Sequence, residues 1–130
     1  MRHRAQLLLL RDRIRPEGMI VGIDSSPGML AQARRRATRN GWTNVILLEA
    51  DATTLFPAVI GDRIAAQGGR RHSDAALATY ALSLMPDWET AWTNMASLGM
   101  PGAAMAVVDM QEPTGAFSGL APLARAACRL

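Results

Sequence analysis

A chain of 130 residues with 49% apolar side chains suffices for one domain and buries roughly two-thirds of the surface its unfolded form exposes. Aromatics make up only 5%, so the core must be aliphatic, alanine and methionine. The formal charge is +3, carried by arginine with no lysine, and no apolar run approaches the ~18 residues of a membrane span.

The opening MRHRAQLLLL is too short for a secretory signal, and no small-residue cleavage site follows before Arg11-Asp12-Arg13, so a cytoplasmic protein is expected. Leu7, Leu10 and Ile14 recur at helical spacing and predict a helix over 4–15. The four consecutive leucines also suit a buried strand. Arg15-Pro16-Glu17-Gly18 is a turn. Ile20 to Asp24 is a short apolar strand, after which Ser26 can cap a helix with Pro27 at its first position. Leu30, Ala33 and Ala37 give that helix its apolar stripe, and Asn40-Gly41 stops it. Its arginines, Arg34-Arg35-Arg36 and Arg39, lack interleaved aromatics or a known module. They read as a solvated helix face, and no nucleic-acid partner is expected.

Val45 to Leu48 is a second strand, finishing in Glu49-Ala50-Asp51. Residues 52–74 carry little pattern beyond a weak helix around 58–67 and a loop at Gly68-Gly69-Arg70-Arg71. Ala75 to Tyr80 is a third strand. Asp87 caps a helix that Gly99 and the Pro101-Gly102 turn should close, and Ala104 to Asp109 is a fourth strand. His3 and His72 have no partner at ligand spacing, and Cys128 stands alone, so no metal site is expected. Strands alternating with capped helices predict one α/β domain over 1–130. It should be Rossmann-like, a mostly parallel sheet of about four strands with helices on both faces.

In open α/β sheets the ligand lies beyond the carboxyl ends of the strands. Asp24, Asp51, Tyr80 with Ala81, and Asp109 fall there. An acid after a strand is often only a cap for the next helix, worth a few tenths of a kcal/mol or more near the helix N-terminus. Ser26 is better placed than Asp24 to cap, and Asp51 precedes no clear helix; both therefore lean towards function. Asp109 leans structural.

The run VGIDSSPGMLAQARRRATRNGWTNVILLEADA resembles the second and third strand regions of class I S-adenosylmethionine-dependent methyltransferases. ATYALSLMPDWETAW and LGMPGAAMAVVDM resemble their fourth strand, following helix and fifth strand. The likeness extends over about residues 7–112 and is nearest in flavour to small bacterial quinone and phospholipid methyltransferases. By position it implies that Asp24 accepts hydrogen bonds from both ribose hydroxyls of S-adenosylmethionine, with Ser25 and Met29 beside the adenosine. Asp51 would receive the adenine amino group and Ala52 would lie against the ring. Thr79, Tyr80 and the residues to Leu82 would line the floor near the methionine part and an unidentified small-molecule acceptor. Methyl transfer from a sulfonium relies on alignment, so the want of a nucleophile or acid–base pair is no objection. Met85, Trp88 and Trp92, at helical spacing, are expected to be core or helix-packing residues.

The family's first strand and glycine-rich loop belong about twenty residues before Asp24, at or before Met1, and its last two strands would follow the fifth. The expectation is a truncated fold, with cofactor binding impaired. In the family that first strand lies between the second and fourth, so the strands at 20–24 and 75–80 each lose a neighbour. Each backbone group left unpaired there costs on the order of 1–3 kcal/mol. Direct pairing across the gap is the favoured remedy. The alternatives are a strand donated by a partner chain or second copy, in a non-catalytic interaction subunit or truncated gene product, and the Leu7–Leu10 run leaving its helix to fill the slot.

Overall fold

The computed structural model describes residues 10–79 and 85–108. The expected helix over 4–15 falls partly outside them; residues 10–13 are helical, with the Ile14 amide bonded to the Leu10 carbonyl at 3.0 Å. Strand β1 is Ile20–Asp24, helix α1 Pro27–Arg39, strand β2 Val45–Glu49 and helix α2 Pro57–Ala66. Strand β3, Ser73–Thr79, helix α3, Trp88–Ser97, and strand β4, Gly99–Val108, complete the order. The alternation is that of an α/β protein, as the sequence indicates.

β1 and β2 pair in parallel with Ile20 opposite Val45 and Asp24 opposite Glu49. Val21 and Ile23 therefore share a face with Ile46 and Leu48. That face packs on Ile60 and Ile64 of α2, and Leu55 and Leu98 close the cluster. Leu48, 2% exposed, is its centre. α1 packs on both strands from the other side, burying Leu30 and Ala37. Ser26 caps it as expected, its Oγ accepting from the Met29 amide at 3.3 Å, with Pro27 in the first turn and Asn40 at the C-terminus.

α2 is better formed than its sequence pattern suggests, although Phe56 at its N-cap supplies no side-chain bond. Burial of Ile60 and Ile64 holds it in place of a cap. The loop after it passes close to the core: a Cβ on Gly69 would meet Ile64 at 2.6 Å and Ile46 at 2.9 Å. Only glycine fits there without displacing packed side chains.

β3 and β4 form the second parallel pair. Both are longer than their apolar cores suggest. Gly99 and Pro101-Gly102 do not separate α3 from β4; they lie inside the strand. The turn survives as an irregularity in the pairing. β4 runs from Gly99 to Ala104 while β3 advances only from Ser73 to Ala75, and Gly102 sits at φ 80°. Pro101 is tolerated because β4 pairs on one side only among the described residues.

The described residues do not form a sheet closing on itself. Among the described residues β1–β2 and β3–β4 are separate two-stranded sheets, and β1 makes no ladder with β3. The favoured direct pairing across the gap is therefore corrected. Packing and side-chain bonds join the two pairs instead, through Leu98 on the β2–α2 cluster and the Asn94 side chain on Ala52. β3–β4 is left unusually bare for parallel strands, with Leu77, Met100, Val107 and Val108 each about two-fifths exposed or more. No helix among the described residues is long and apolar enough to cross a membrane.

Candidate functional site

Asp24 ends β1, half-buried. Its Oδ1 accepts the Ser26 amide at 2.8 Å, an Asx turn that passes the chain directly into α1. Ser26 takes the capping role, but Asp24 is not wholly free, since one of its oxygens shapes the turn. Ser25 is exposed and Met29 half-buried on the same β1–α1 corner.

The end of β2 lies alongside. The Ala50 amide donates to the Asp24 carbonyl at 3.1 Å, so Asp51 follows one residue after the last rung joining the strands. Its Oδ1 accepts two bonds from Thr53, from the amide at 2.8 Å and from Oγ1 at 2.6 Å. The Asp51 carbonyl accepts the amides of Thr54 at 3.1 Å and Leu55 at 2.9 Å. The Thr53 hydroxyl, and then its amide, hold the Asp51 carboxyl below its ordinary range, against a small opposing effect of desolvation. Asp51 is thus an exposed, ionised carboxylate in a fixed pose. Among the described residues the side-chain bonds to both acids fall on Oδ1, and none engages Oδ2.

Two further contacts brace this edge. Arg63 of α2 donates from Nη1 to the Glu49 carbonyl at 3.2 Å. Asn94 of α3 donates from Nδ2 to the Ala52 carbonyl at 2.9 Å. The structure therefore brings Asp24, Ser25, Met29, Asp51 and Ala52 to the carboxyl end of one strand pair. Thr79, half-buried, ends β3 in the other pair. Tyr80, Ala81, Leu82 and Asp109 lie outside the described residues.

Sequence reasoning missed Thr53 and Asn94. Asp-x-Thr is a readable turn signal; nothing local marks Asn94, whose partner is 42 residues away. Trp88 corrects the expectation of a packing role, being 50% exposed at the first turn of α3. Trp92 and Met85 are half-buried.

Two carboxylates that can only accept, one of them ionised and held in a fixed pose, stand at the ends of hydrogen-bonded neighbouring strands, a chemistry suited to hydroxyl and amino donors.

Comparison with known proteins points the same way. A family model described as a methyltransferase domain matches residues 5–127. The chain is 30% identical over 112 residues to aklanonic acid methyltransferase DauC of Streptomyces sp. (strain C5), across 85% of this chain and 46% of that protein. It thus spans about half the length of this relative. No solved structure matches it significantly. The order of elements agrees with the family match, and the chain belongs to the class I S-adenosylmethionine-dependent methyltransferases.

Proposed function

We propose that this chain holds the adenosine of S-adenosylmethionine and takes part in methyl transfer to a small-molecule acceptor in the cytoplasm. Asp24 accepts from the ribose hydroxyls through the oxygen not used by Ser26. Asp51 accepts the adenine amino group, and Ala52 lies on the ring. Ser25 and Met29 flank the nucleoside, and Thr79 and Tyr80 face the methionine part. When bound, S-adenosylmethionine would supply an electrophilic methyl on a sulfonium, whose S–C bond would be exchanged for the acceptor's bond to carbon with loss of the acceptor's proton to solvent. The chain's contribution is alignment. Trp88 offers an exposed apolar surface at the start of α3.

The observation that carries this reading is the pair of half-satisfied carboxylates, Asp24 and Asp51, on hydrogen-bonded neighbouring strand ends. Calorimetric titration with S-adenosylhomocysteine tests it. Hydrogen bonds to a charged group contribute about 1.5–3 kcal/mol each, so Asp24→Ala should weaken binding at least tenfold. Wild-type binding at about millimolar or tighter is expected, since the glycine-rich loop is not among these residues. No heat from the wild-type chain at that concentration contradicts the reading.

The exposed β3–β4 pair favours a second reading, a non-catalytic subunit that completes its sheet with a partner or a second copy. Light scattering after size exclusion separates the two: a clean monomer that binds cofactor excludes the second.

A further inference from the structure

Asn94 sits where an amide is out of place. Ala91, Met95 and Leu98 line one side of α3 and the turn ending it, at the i, i+4, i+7 spacing of a packed face. Ala91 is 1% exposed and Leu98 packs on the β2–α2 cluster. Asn94 shares that face three residues after Ala91, half-buried. An apolar residue would serve packing there better. Its Nδ2 instead reaches the Ala52 carbonyl at 2.9 Å.

That carbonyl belongs to the same peptide group as the Thr53 amide, which donates to Asp51 Oδ1 at 2.8 Å. The group is planar and trans, so its oxygen and its N–H point in opposite directions and turn together. Holding the oxygen fixes the line along which the N–H meets Asp51. Bonds arranged in such a chain also polarise one another. The sequence Asn94, peptide 52–53, Asp51 is a rigid strut from α3 to the carboxylate.

Building on the adenine role of Asp51 argued above, we propose that Asn94 is a positioning residue for adenine recognition, acting through the 52–53 peptide. It touches no cofactor. It sets the pose in which Asp51 accepts the adenine amino group, and it links that pose to the helix that follows the acceptor-side segment.

The test compares wild type, Asn94→Leu and Asn94→Gln. Leucine completes the apolar face, so that variant keeps its fold while losing the donor; glutamine keeps an amide. Two readouts are needed. In the free chain, amide hydrogen exchange at Thr53 should quicken about tenfold or more in Asn94→Leu, with the Ser26 amide unchanged and Asn94→Gln in between. With ligand, wild type should prefer S-adenosylhomocysteine over S-inosylhomocysteine, which has a carbonyl in place of the amino group. The preference should fall towards one in Asn94→Leu and partly return in Asn94→Gln. Unchanged exchange at Thr53 overturns the strut whatever the ligand does. Faster exchange with an undiminished preference overturns the recognition role alone. A wild-type chain that binds S-adenosylhomocysteine without preferring it to the inosine form overturns the role of Asp51 and with it that of Asn94. A wild-type chain that binds neither defeats the cofactor reading itself.

Discussion

The Ala50 amide meets the Asp24 carbonyl at 3.1 Å, and this bond aligns the ends of β1 and β2. Asp24 lies on one side of it, and Asp51 is the next residue on the other. The pairing of the two acids is therefore a consequence of parallel register and not of their own interaction. It follows that each acid can be altered without moving the other.

Ser26 and Asp24 should separate stability from binding. Ser26→Ala removes the cap on the Met29 amide and should cost about 0.5–2 kcal/mol, leaving cofactor affinity within twofold. Asp24→Asn keeps one acceptor oxygen for the Ser26 amide but loses the charge, and should weaken S-adenosylhomocysteine severalfold at nearly wild-type stability. Urea unfolding and calorimetry on the two variants check both statements; equal losses of affinity would refute them.

Asp51 predicts a pH dependence. Its folded carboxyl titrates below the ordinary value because of Thr53, so the stabilising turn is fully present above the ordinary carboxylate range. It is lost as pH falls through the lowered folded value. Thr53→Val should move the Asp51 titration upward, read from its carboxyl carbon shift by NMR. Loss of cofactor affinity in acid should then begin at higher pH than in wild type. An unmoved titration would show that Thr53 does not hold the carboxylate.

The core makes a sharper demand at Leu48 and Gly69. Leu48→Ala should cost about 2–5 kcal/mol, a large share of a typical domain's stability. Gly69→Ala should cost about 1–3 kcal/mol through the contact with Ile64 and Ile46. Denaturant midpoints decide this, and a neutral Gly69→Ala would mean that the loop shifts freely.

The β3–β4 face should govern association. Leu77→Glu with Val108→Glu places charge on exposed apolar residues that share one face of the pair, since Leu77 stands opposite Ala106 and Thr79 opposite Val108. Any self-association of the wild-type chain in sedimentation should weaken at least tenfold. Association untouched by both charges would place the contact elsewhere.

Local chemistry made the first half of the fold legible. Ser26-Pro27 and Asn40-Gly41 bracket α1 because caps and stops are one-residue signals, and Ile20–Asp24 reads as a strand between turns. α2 was faint because no side chain caps it and burial alone sustains it. β4 was shortened because Pro101 and Gly102 carry turn chemistry, which the strand absorbs as a bulge on an open edge. The two acids could be read as strand-end residues. Their Asx turns went unread, because an acid after a strand was weighed only as a helix cap or a ligand, and so did the Asn94 bond, because contacts across 42 residues leave no local trace.

One measurement bears most directly on the central claim, that Asp24 and Asp51 grip one adenosine. In an amide NMR titration with S-adenosylhomocysteine, the largest shifts should fall together on 24–29 and 51–53 and follow a single dissociation constant. Asp24→Ala should weaken the response at both segments. Shifts confined to one segment, or two segments saturating independently, would contradict the account.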